Sequence, residues 1–269
     1  RSLHQSPKEP LIVTDQAELK LRMKAGQGAL GVWLELGSPT VAELLAEVGY
    51  DFAILDMEHG PHSVGECVSM MQAMRGTPCV PVVRVPWNDH AVIKRVLDAG
   101  ARGIMVPSVN DAAEAEAVVA ACRYPPRGRR GIAAGVARAT RYGLQLDDYL
   151  RRFEEEELLV ICQIETVQAV NNIESIAAVE GVDVLFIGPN DLAADAGYFN
   201  RMDAPEVEDL VARVEEACER AGRLLGGIAN PGRSLAQLKQ KGYRMMLQDA
   251  DTALLRDAAL ASLARQRAD

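Results

Sequence analysis

Short apolar runs, rich in β-branched residues, alternate with longer amphipathic segments from about residue 29 onward. Several of the amphipathic segments open with Ser or Asp and close with Gly, which are the residues that commonly cap helices. This alternation predicts parallel βα units. Eight apolar runs can be counted: ALGVWLEL (29–36), DFAILDMEH (51–59), CVPVVRV (79–85), GIMVPS (103–108), LLVICQIE (158–165), DVLFIGP (183–189), LLGGIAN (224–230) and YRMMLQD (243–249).

Eight strands and about eight helices fit an α/β fold of the (β/α)8 TIM-barrel type. A doubly wound sheet is the main alternative, but it uses fewer strands and a glycine-rich first turn. GQGALG (26–31) matches such a turn by its letters, yet it leads into a strand rather than opening a helix, so it predicts no dinucleotide site. We expect a polar N-terminal tail over residues 1–19 and one barrel domain over 20–269.

The composition suits a globular protein that binds small molecules. The chain has 48% hydrophobic and 25% charged residues, a net charge of −9 and a pI near 5.1. An acidic chain of this kind is not expected to bind nucleic acid or anionic membranes, because both attract concentrated Lys and Arg. The cysteines are five in number and widely spaced, which favours free thiols in a reducing compartment. No apolar stretch reaches the length of a membrane span, so we expect a cytoplasmic location.

One connection breaks the alternation. Residues 125–157, before the fifth predicted strand, are rich in Arg and Gly and end in a predicted helix. A connection this long is often functional.

Polar residues stand at the ends of several predicted strands. In a barrel of this type the active site lies at the carboxyl ends of the strands, and buried polar groups there would be costly unless they were paired. We therefore expect these residues to converge at one rim: Asp56, Glu58, His59, Arg84, Gln163, Glu165, Asn190, Asp191 and Asn230.

The chemistry of these residue types suggests roles for four of them. Glu165 and Asp191 could bind a hard divalent cation, although acids at strand ends also cap helices. Arg84 could hold a carboxylate or an oxyanion, or it could pair with an acid of the barrel. His59 could be a general base or a structural histidine. The lysines all fall in the tail or in predicted helices, so a Schiff-base aldolase is not expected.

Six motifs together resemble the HpcH/HpaI aldolases, a family of metal-dependent (class II) pyruvate aldolases. The likeness covers roughly residues 20 to 260. The motifs are LDMEHGP (55–61), VVRVP (82–86), LDAGARGIMVP (97–107), YPPRGRRG (124–131), QIET (163–166) and GPNDLA (188–193).

The resemblance implies a barrel whose C-terminal helix is exchanged with a neighbour, in a homohexamer built as a trimer of dimers. It implies that Glu165 and Asp191 bind Mg²⁺, Mn²⁺ or Co²⁺ and that the substrates are a 2-oxo acid and an aldehyde. Arg84 would steady the enolate oxygen, while His59, oriented by Asp98, would assist proton transfer. The donor pocket would comprise Gln163, Gly188, Pro189 and Asn190.

The chain departs from the family at two places. Asn190 replaces a small residue, and the eighth strand ends LQDADTALL where a turn with Gly is commoner, so we expect a differently shaped final loop.

Three alternatives remain open at this stage. An acyl-coenzyme A lyase would need a nucleotide surface, for which Arg127 to Arg141 is the candidate segment. An oxaloacetate decarboxylase would use the same metal and arginine. A catalytically silent barrel could serve as a binding or assembly subunit.

Overall fold

Eight parallel strands form a closed barrel in the computed structural model, which describes residues 18–133 and 135–268. Each strand pairs with the next, and the eighth pairs with the first. The strands are β1 (Ala29–Leu34), β2 (Phe52–Asp56), β3 (Val80–Arg84), β4 (Gly103–Val106), β5 (Leu159–Ile164), β6 (Val184–Ile187), β7 (Leu224–Ile228) and β8 (Met245–Ala250). The predicted (β/α)8 barrel is confirmed.

Helices surround this barrel. Within the described ranges they are α1 (Glu18–Lys24), α2 (Pro39–Val48), α3 (Val64–Ala73), α4 (His90–Ala99), α5 (Ala112–Cys122), α6 (Leu146–Arg152), α7 (Val167–Asn171), α8 (Ile173–Ala178), α9 (Pro189–Asp195), α10 (Pro205–Ala221), α11 (Leu235–Gln240) and α12 (Asp251–Ala268). Predicted caps are present: Asp89 accepts hydrogen bonds from the N–H groups of Ala91 and Val92, and Gly100 ends α4 with a φ of 107°. None of the described helices is long and apolar enough to cross a membrane.

The predicted tail lies mostly outside the described residues, which begin at Glu18. Its last two predicted positions, Glu18 and Leu19, belong to α1. Leu19 and Met23 of this helix pack with the residues inside the barrel. Lys20 is buried and donates to the carbonyl of Leu158 (2.7 Å) and pairs with Asp183 (2.9 Å). Helix α1 therefore closes the amino-terminal end of the barrel.

The barrel interior follows the alternation of the strands. Phe52 and Ile54 of β2, like Leu159 and Ile161 of β5, belong to the inner cluster, as expected for a side-chain period of two. Phe52 fits because Gly31 stands opposite it: a Cβ at position 31 would lie 2.2 Å from the Phe52 ring. A second, larger cluster fills the layer between the strands and the helices.

Strand β8 contains an extra residue at its carboxyl end. Gly31 of β1 pairs with Leu247, but the next residue of β1, Val32, pairs with Asp249, so Gln248 is bulged out. A bulge of this kind bends the strand and changes the direction in which the chain leaves it.

Helix α12 begins directly after the bulge. The buried Asp251 carboxylate accepts the backbone N–H groups of Glu35 (2.9 Å) and Leu36 (3.1 Å), which follow β1. Asp251 is the only buried residue of the described part of this helix. The start of α12 is thus tied to the barrel while the rest of the helix is uncovered.

The long connection before β5 is organised around Arg130, whose side chain is fully buried. Its guanidinium lies 4.6 Å from the centre of the Tyr124 ring and donates to the Tyr149 hydroxyl (2.9 Å). These contacts hold the connection against α6 and the end of α5.

Candidate active site

The carboxyl end of the barrel brings together most of the residues predicted from strand ends. Asp56 and Arg84 occupy the last positions of β2 and β3 and pair in register. Gln163 and Glu165 lie at and just beyond the end of β5, and both are buried. These side chains continue the inward-facing positions of their strands, so they line the mouth.

An ion pair fixes the orientation of Arg84. Its Nε donates to Oδ1 of Asp56 (2.8 Å) and its Nη2 to Oδ2 (2.6 Å). Burial alone would raise the pKa of Asp56, but the hydrogen bonds and charge of Arg84 outweigh it and hold this pKa below its usual range. The guanidinium also lies 4.3 Å from the centre of the Trp33 ring. Arg84 is therefore held as a rigid cation.

Glu58 extends this pair toward the rim of the barrel. Its Oε2 lies 3.0 Å from Nη1 of Arg84. Burial raises the pKa of Glu58; the Arg84 charge opposes this, and the negative charge of Glu165 adds to it. The interaction with Glu165 shows that the acids at the ends of β2 and β5 face the same space.

His59 lies at the outer edge of the mouth. Its side chain is 65% exposed, and its Nε2 lies 4.0 Å from Oε2 of Glu58. The imidazole is accessible to a substrate entering from solvent.

Glu165 is held by three donors. Ser108 donates to its Oε1 through both the backbone N–H (2.7 Å) and the hydroxyl (3.1 Å), and Nε2 of Gln163 donates to its Oε2. Burial raises the pKa of Glu165, and the nearby charge of Asp191 raises it further, against the lowering effect of the Ser108 hydrogen bonds. A carboxylate that is buried beside another acid is suited to a positive ligand.

Asp191 approaches Glu165 from β6. The chain turns at Gly188 directly into α9, and Asp191 is the third residue of that helix. A Cβ at position 188 would lie 2.6 Å from Oε2 of Glu165 and 3.1 Å from Nε2 of Gln163. Glycine is required there because the backbone passes directly against the glutamate. Pro189 is buried, whereas Asn190 and Asp191 are exposed.

Two carboxylates of this site have the oxygen donors that a hard divalent cation prefers, namely those of Glu165 and Asp191. Over the described ranges no group of three or more His, Cys, Asp or Glu residues is arranged to hold a metal. The amide Oε1 of Gln163 is buried and accepts no hydrogen bond. The acids and this unused acceptor fit a cation that would keep several water or substrate ligands.

Asp98 does not contact His59 within one chain. It is the penultimate residue of α4 and accepts a hydrogen bond from Nη2 of Arg130 (2.8 Å). A helix that follows a barrel strand runs back toward the amino-terminal end, so its last residues lie far from the mouth. The expected role of Asp98 in orienting His59 therefore has no support from contacts inside one chain.

Two residues that shape the mouth, Trp33 and Ser108, were not predicted from the sequence. Asp56 was expected at the rim, and it lies there because it continues the interior positions Phe52 and Ile54 of β2. Ser108 gave only the signal of a polar residue following an apolar strand, and its backbone φ of 51° is visible only in the structure.

Comparison with known proteins identifies the family. The profile of the HpcH/HpaI aldolase/citrate lyase family matches residues 29–258. The chain is 37% identical over 242 residues to a hydroxypyruvate/pyruvate aldolase of Chromohalobacter salexigens, covering 90% of this chain and 94% of the relative. It is 39% identical over 246 residues to a 4-hydroxy-2-oxo-heptane-1,7-dioate aldolase of Shigella sonnei, covering 91% and 93%.

A solved structure of an HpcH/HpaI aldolase/citrate lyase family protein from Burkholderia cenocepacia superimposes with a TM-score of 0.88 at 38% identity. The match covers 93% of this chain and 99% of that one. The chain belongs to the HpcH/HpaI aldolase/citrate lyase family.

Proposed function

We propose that the protein is a metal-dependent aldolase that reversibly cleaves a 4-hydroxy-2-oxo acid to pyruvate or hydroxypyruvate and an aldehyde. The observation that carries the proposal is the convergence of Glu165, Asp191 and the rigid Arg84 at one mouth. Relatives that cover nine-tenths of the chain are named as aldolases for such substrates.

Glu165 and Asp191 would hold a divalent cation, either Mg²⁺, Mn²⁺ or Co²⁺. Such an ion supplies a Lewis acid for the 2-oxo group and for the negative charge that develops on it. Gln163 and the Ser108 hydrogen bonds keep the Glu165 carboxylate oriented for this role. The donor carboxylate would lie against Gly188, Pro189 and Asn190 at the start of α9.

Arg84 would bind the enolate oxygen. A guanidinium carries five N–H groups, and two of them donate to Asp56. Nη1 forms an ion pair with Oε2 of Glu58 without a hydrogen bond, so N–H groups on both terminal nitrogens are left for an oxygen of the substrate. Because these donors are fixed before the substrate arrives, they stabilise the developing charge without reorganising.

His59 would accept and return the proton. In the cleavage direction the bond between C3 and C4 breaks, its electron pair forms the enolate, and the proton of the 4-hydroxyl passes to the base. An imidazole can accept such a proton near neutral pH. Return of a proton to C3 completes pyruvate, and the exposed position of His59 allows transfer directly or through water.

The acyl-coenzyme A alternative loses its supporting feature. Arg138 and Arg141, in the segment suggested for a nucleotide, line a cavity with Pro81 and Arg102 at the amino-terminal ends of β3 and β4. A nucleotide bound there would be at the wrong end of the barrel to present an acyl group to Glu165. Oxaloacetate decarboxylation needs the same groups at the mouth and is therefore included in the test.

The test is a coupled assay of pyruvate release from several 4-hydroxy-2-oxo acids and from oxaloacetate. Protein treated with EDTA should be inactive, and Mn²⁺ or Mg²⁺ should restore activity. Glu165→Gln should abolish turnover, whereas Glu116→Gln, at an exposed position of α5, should leave it unchanged. Activity that survives EDTA, or a Glu165→Gln variant with normal rate and metal affinity, would contradict the proposal.

We also propose that the chain forms a homo-oligomer, a trimer of dimers, by exchange of α12. Beyond Asp251 this helix carries four leucines that are 37% to 61% exposed: Leu254, Leu255, Leu260 and Leu263. Leu30 of β1 and Leu44 and Val48 of α2 are also exposed, on the outside of the barrel beside β8. An exchanged helix would cover both apolar surfaces.

Light scattering after size-exclusion chromatography tests the assembly. The native chain should elute as a hexamer, and Leu255→Glu with Leu260→Glu should give smaller species. Leu150→Glu, an exposed leucine of α6, is the matched control. A native monomer would refute the exchange.

We also propose that the protein is cytoplasmic, which its five buried free thiols support.

A further inference from the structure

A large cavity lies at the amino-terminal end of the barrel, opposite the mouth. Its volume is about 420 Å³, which falls in the range of small-molecule sites. It is bounded by the end of α3, by residues 100–102 before β4 and by residues 138–145 of the long connection. None of the residues assigned to catalysis lines it.

Four arginines line this cavity: Arg75, Arg102, Arg138 and Arg141. Arg102 pairs with Glu157. For the other three, no carboxylate among residues 18–133 and 135–268 lies within ion-pair distance. A concentration of positive charge is unexpected in a chain of net charge −9, and it is unfavourable unless an anion neutralises it.

Arg138 shows the cost of this arrangement most clearly. Its guanidinium is half-buried, and its Nη1 donates to the carbonyl of Ala99 (2.7 Å), which fixes it at the cavity wall. Burial lowers the pKa of Arg138, and the nearby charge of Arg75 lowers it further. Two cations are therefore held close together from separate parts of the chain.

The wall that carries Arg141 is also strained. Arg141 and Tyr142 have φ values of 51° and 59°, and Gly143 follows at 89°. Two successive residues with side chains in the left-handed region are uncommon, and such strain is concentrated at ligand-binding segments. The turn directs Arg141 and Tyr142 to the cavity lining.

We propose that this cavity binds a small multivalent oxyanion, either a phosphate or phosphomonoester group or a polycarboxylate. Arg75, Arg138 and Arg141 supply the charge and the N–H donors that such groups bind. The site is separate from the mouth and does not depend on the proposed aldolase reaction. A ligand there would contact the connection that Arg130 and Tyr149 hold against α6.

Isothermal titration calorimetry on the native protein tests this site. Inorganic phosphate is the first probe and citrate the second, with ionic strength held constant by potassium chloride. We expect one saturable site per chain for at least one probe. Arg75→Gln and Arg141→Gln, both at exposed positions, should each weaken binding about tenfold, the contribution of one charge-assisted hydrogen bond.

Matched controls distinguish binding in this cavity from binding elsewhere on the protein. Arg151→Gln removes the same charge from an exposed position on α6 and should change the affinity less than twofold. Saturating the mouth with Mg²⁺ and oxalate should leave phosphate and citrate binding intact. Retained secondary structure by circular dichroism checks that each variant is folded.

Three outcomes would overturn the proposal. The first is the absence of saturable binding for both probes. The second is binding that oxalate abolishes while Arg75→Gln and Arg141→Gln leave it unchanged, since the anion would then occupy the mouth. The third is arginine variants that dissociate the oligomer without affecting anion binding, which would show that acids of a second copy fill the cavity.

Discussion

Replacing Gly188 by alanine tests the site by adding a single methyl group. The new Cβ would lie 2.6 Å from Oε2 of Glu165, whereas ordinary contact begins near 3.4 Å. The carboxylate would therefore have to retreat by about 0.8 Å, the difference between these values. It cannot escape by rotation alone, because the Cβ of Glu165 itself would be 2.9 Å away.

This displacement is large compared with what a metal site tolerates. Ligand distances are held to about 0.2 Å, and disturbing the surroundings of a ligand typically costs 10- to 100-fold in affinity. We expect Gly188→Ala to weaken Mn²⁺ binding by about 10- to 100-fold, or about 1.4 to 2.7 kcal/mol. Steric strain should also lower the free energy of unfolding by about 1–3 kcal/mol.

Electron paramagnetic resonance of free Mn²⁺ during titration measures the affinity directly, without relying on turnover. Gly65→Ala in α3 is the matched control, because a Cβ there meets only Ser63 Oγ at 3.7 Å. That variant should bind Mn²⁺ normally and be slightly stabilised. If Gly188→Ala bound Mn²⁺ as tightly as the native protein, the assignment of Glu165 as a ligand would be refuted.

Three further predictions concern other parts of the molecule. Asp56→Asn should lower the free energy of unfolding by about 3 kcal/mol at neutral pH, the lower end of the cost of breaking a buried ion pair, because Arg84 then keeps only Glu58 as a carboxylate partner. Since the pKa of Asp56 is lower in the folded state, the difference in unfolding free energy between the native protein and the variant should shrink as pH falls below about 4. Urea denaturation at several pH values measures this difference, and a constant value would contradict the reasoning. Ser108→Ala should weaken Mn²⁺ binding about fivefold, because it removes one hydroxyl donor to Glu165. Ser108→Gly should weaken binding equally but raise the free energy of unfolding, because Gly adopts a φ of 51° without strain. Equal Mn²⁺ affinity in the native protein and both variants would exclude a role for the hydroxyl. Burial raises the pKa of all five cysteines, to about 12 for Cys67, Cys79, Cys122 and Cys218 and further still for Cys162. A thiol reagent at pH 8 should therefore label the five cysteines only after denaturation. Rapid labelling of the native protein would contradict this, because it would show that the thiols are accessible.

The strands were predictable because each is a short apolar run bounded by turn residues. Seven of the eight predicted runs contain the whole observed strand, and the eighth covers all of β8 except Ala250. The position of helix α1 was not predicted, since it depends on packing Leu19 and Met23 beneath the barrel. The bulge at Gln248 was also invisible, because it is defined by pairing with β1, a strand more than 200 residues earlier.

The mouth was predictable where a residue continues the alternation of a strand, as Arg84 and Gln163 do. The role expected for Asp98 stays a prediction, because within one chain Asp98 contacts Arg130 and not His59. Ser108 was missed because its contribution depends on a backbone conformation that places N–H and hydroxyl on the same oxygen of Glu165. Sequence pattern thus locates side chains on regular strands better than it locates donors from loops.

The additional residue in β8 changes which side chains face the barrel interior in the rest of the strand. Leu247 and Ala250 both face the barrel interior although they are three residues apart. Because of this shift, the Asp251 carboxylate points to the backbone that follows β1. Without the bulge, regular alternation over the same residues would turn the charged side chain of Asp249 toward the apolar lumen. One inserted residue thus sets the direction in which the last helix leaves the barrel.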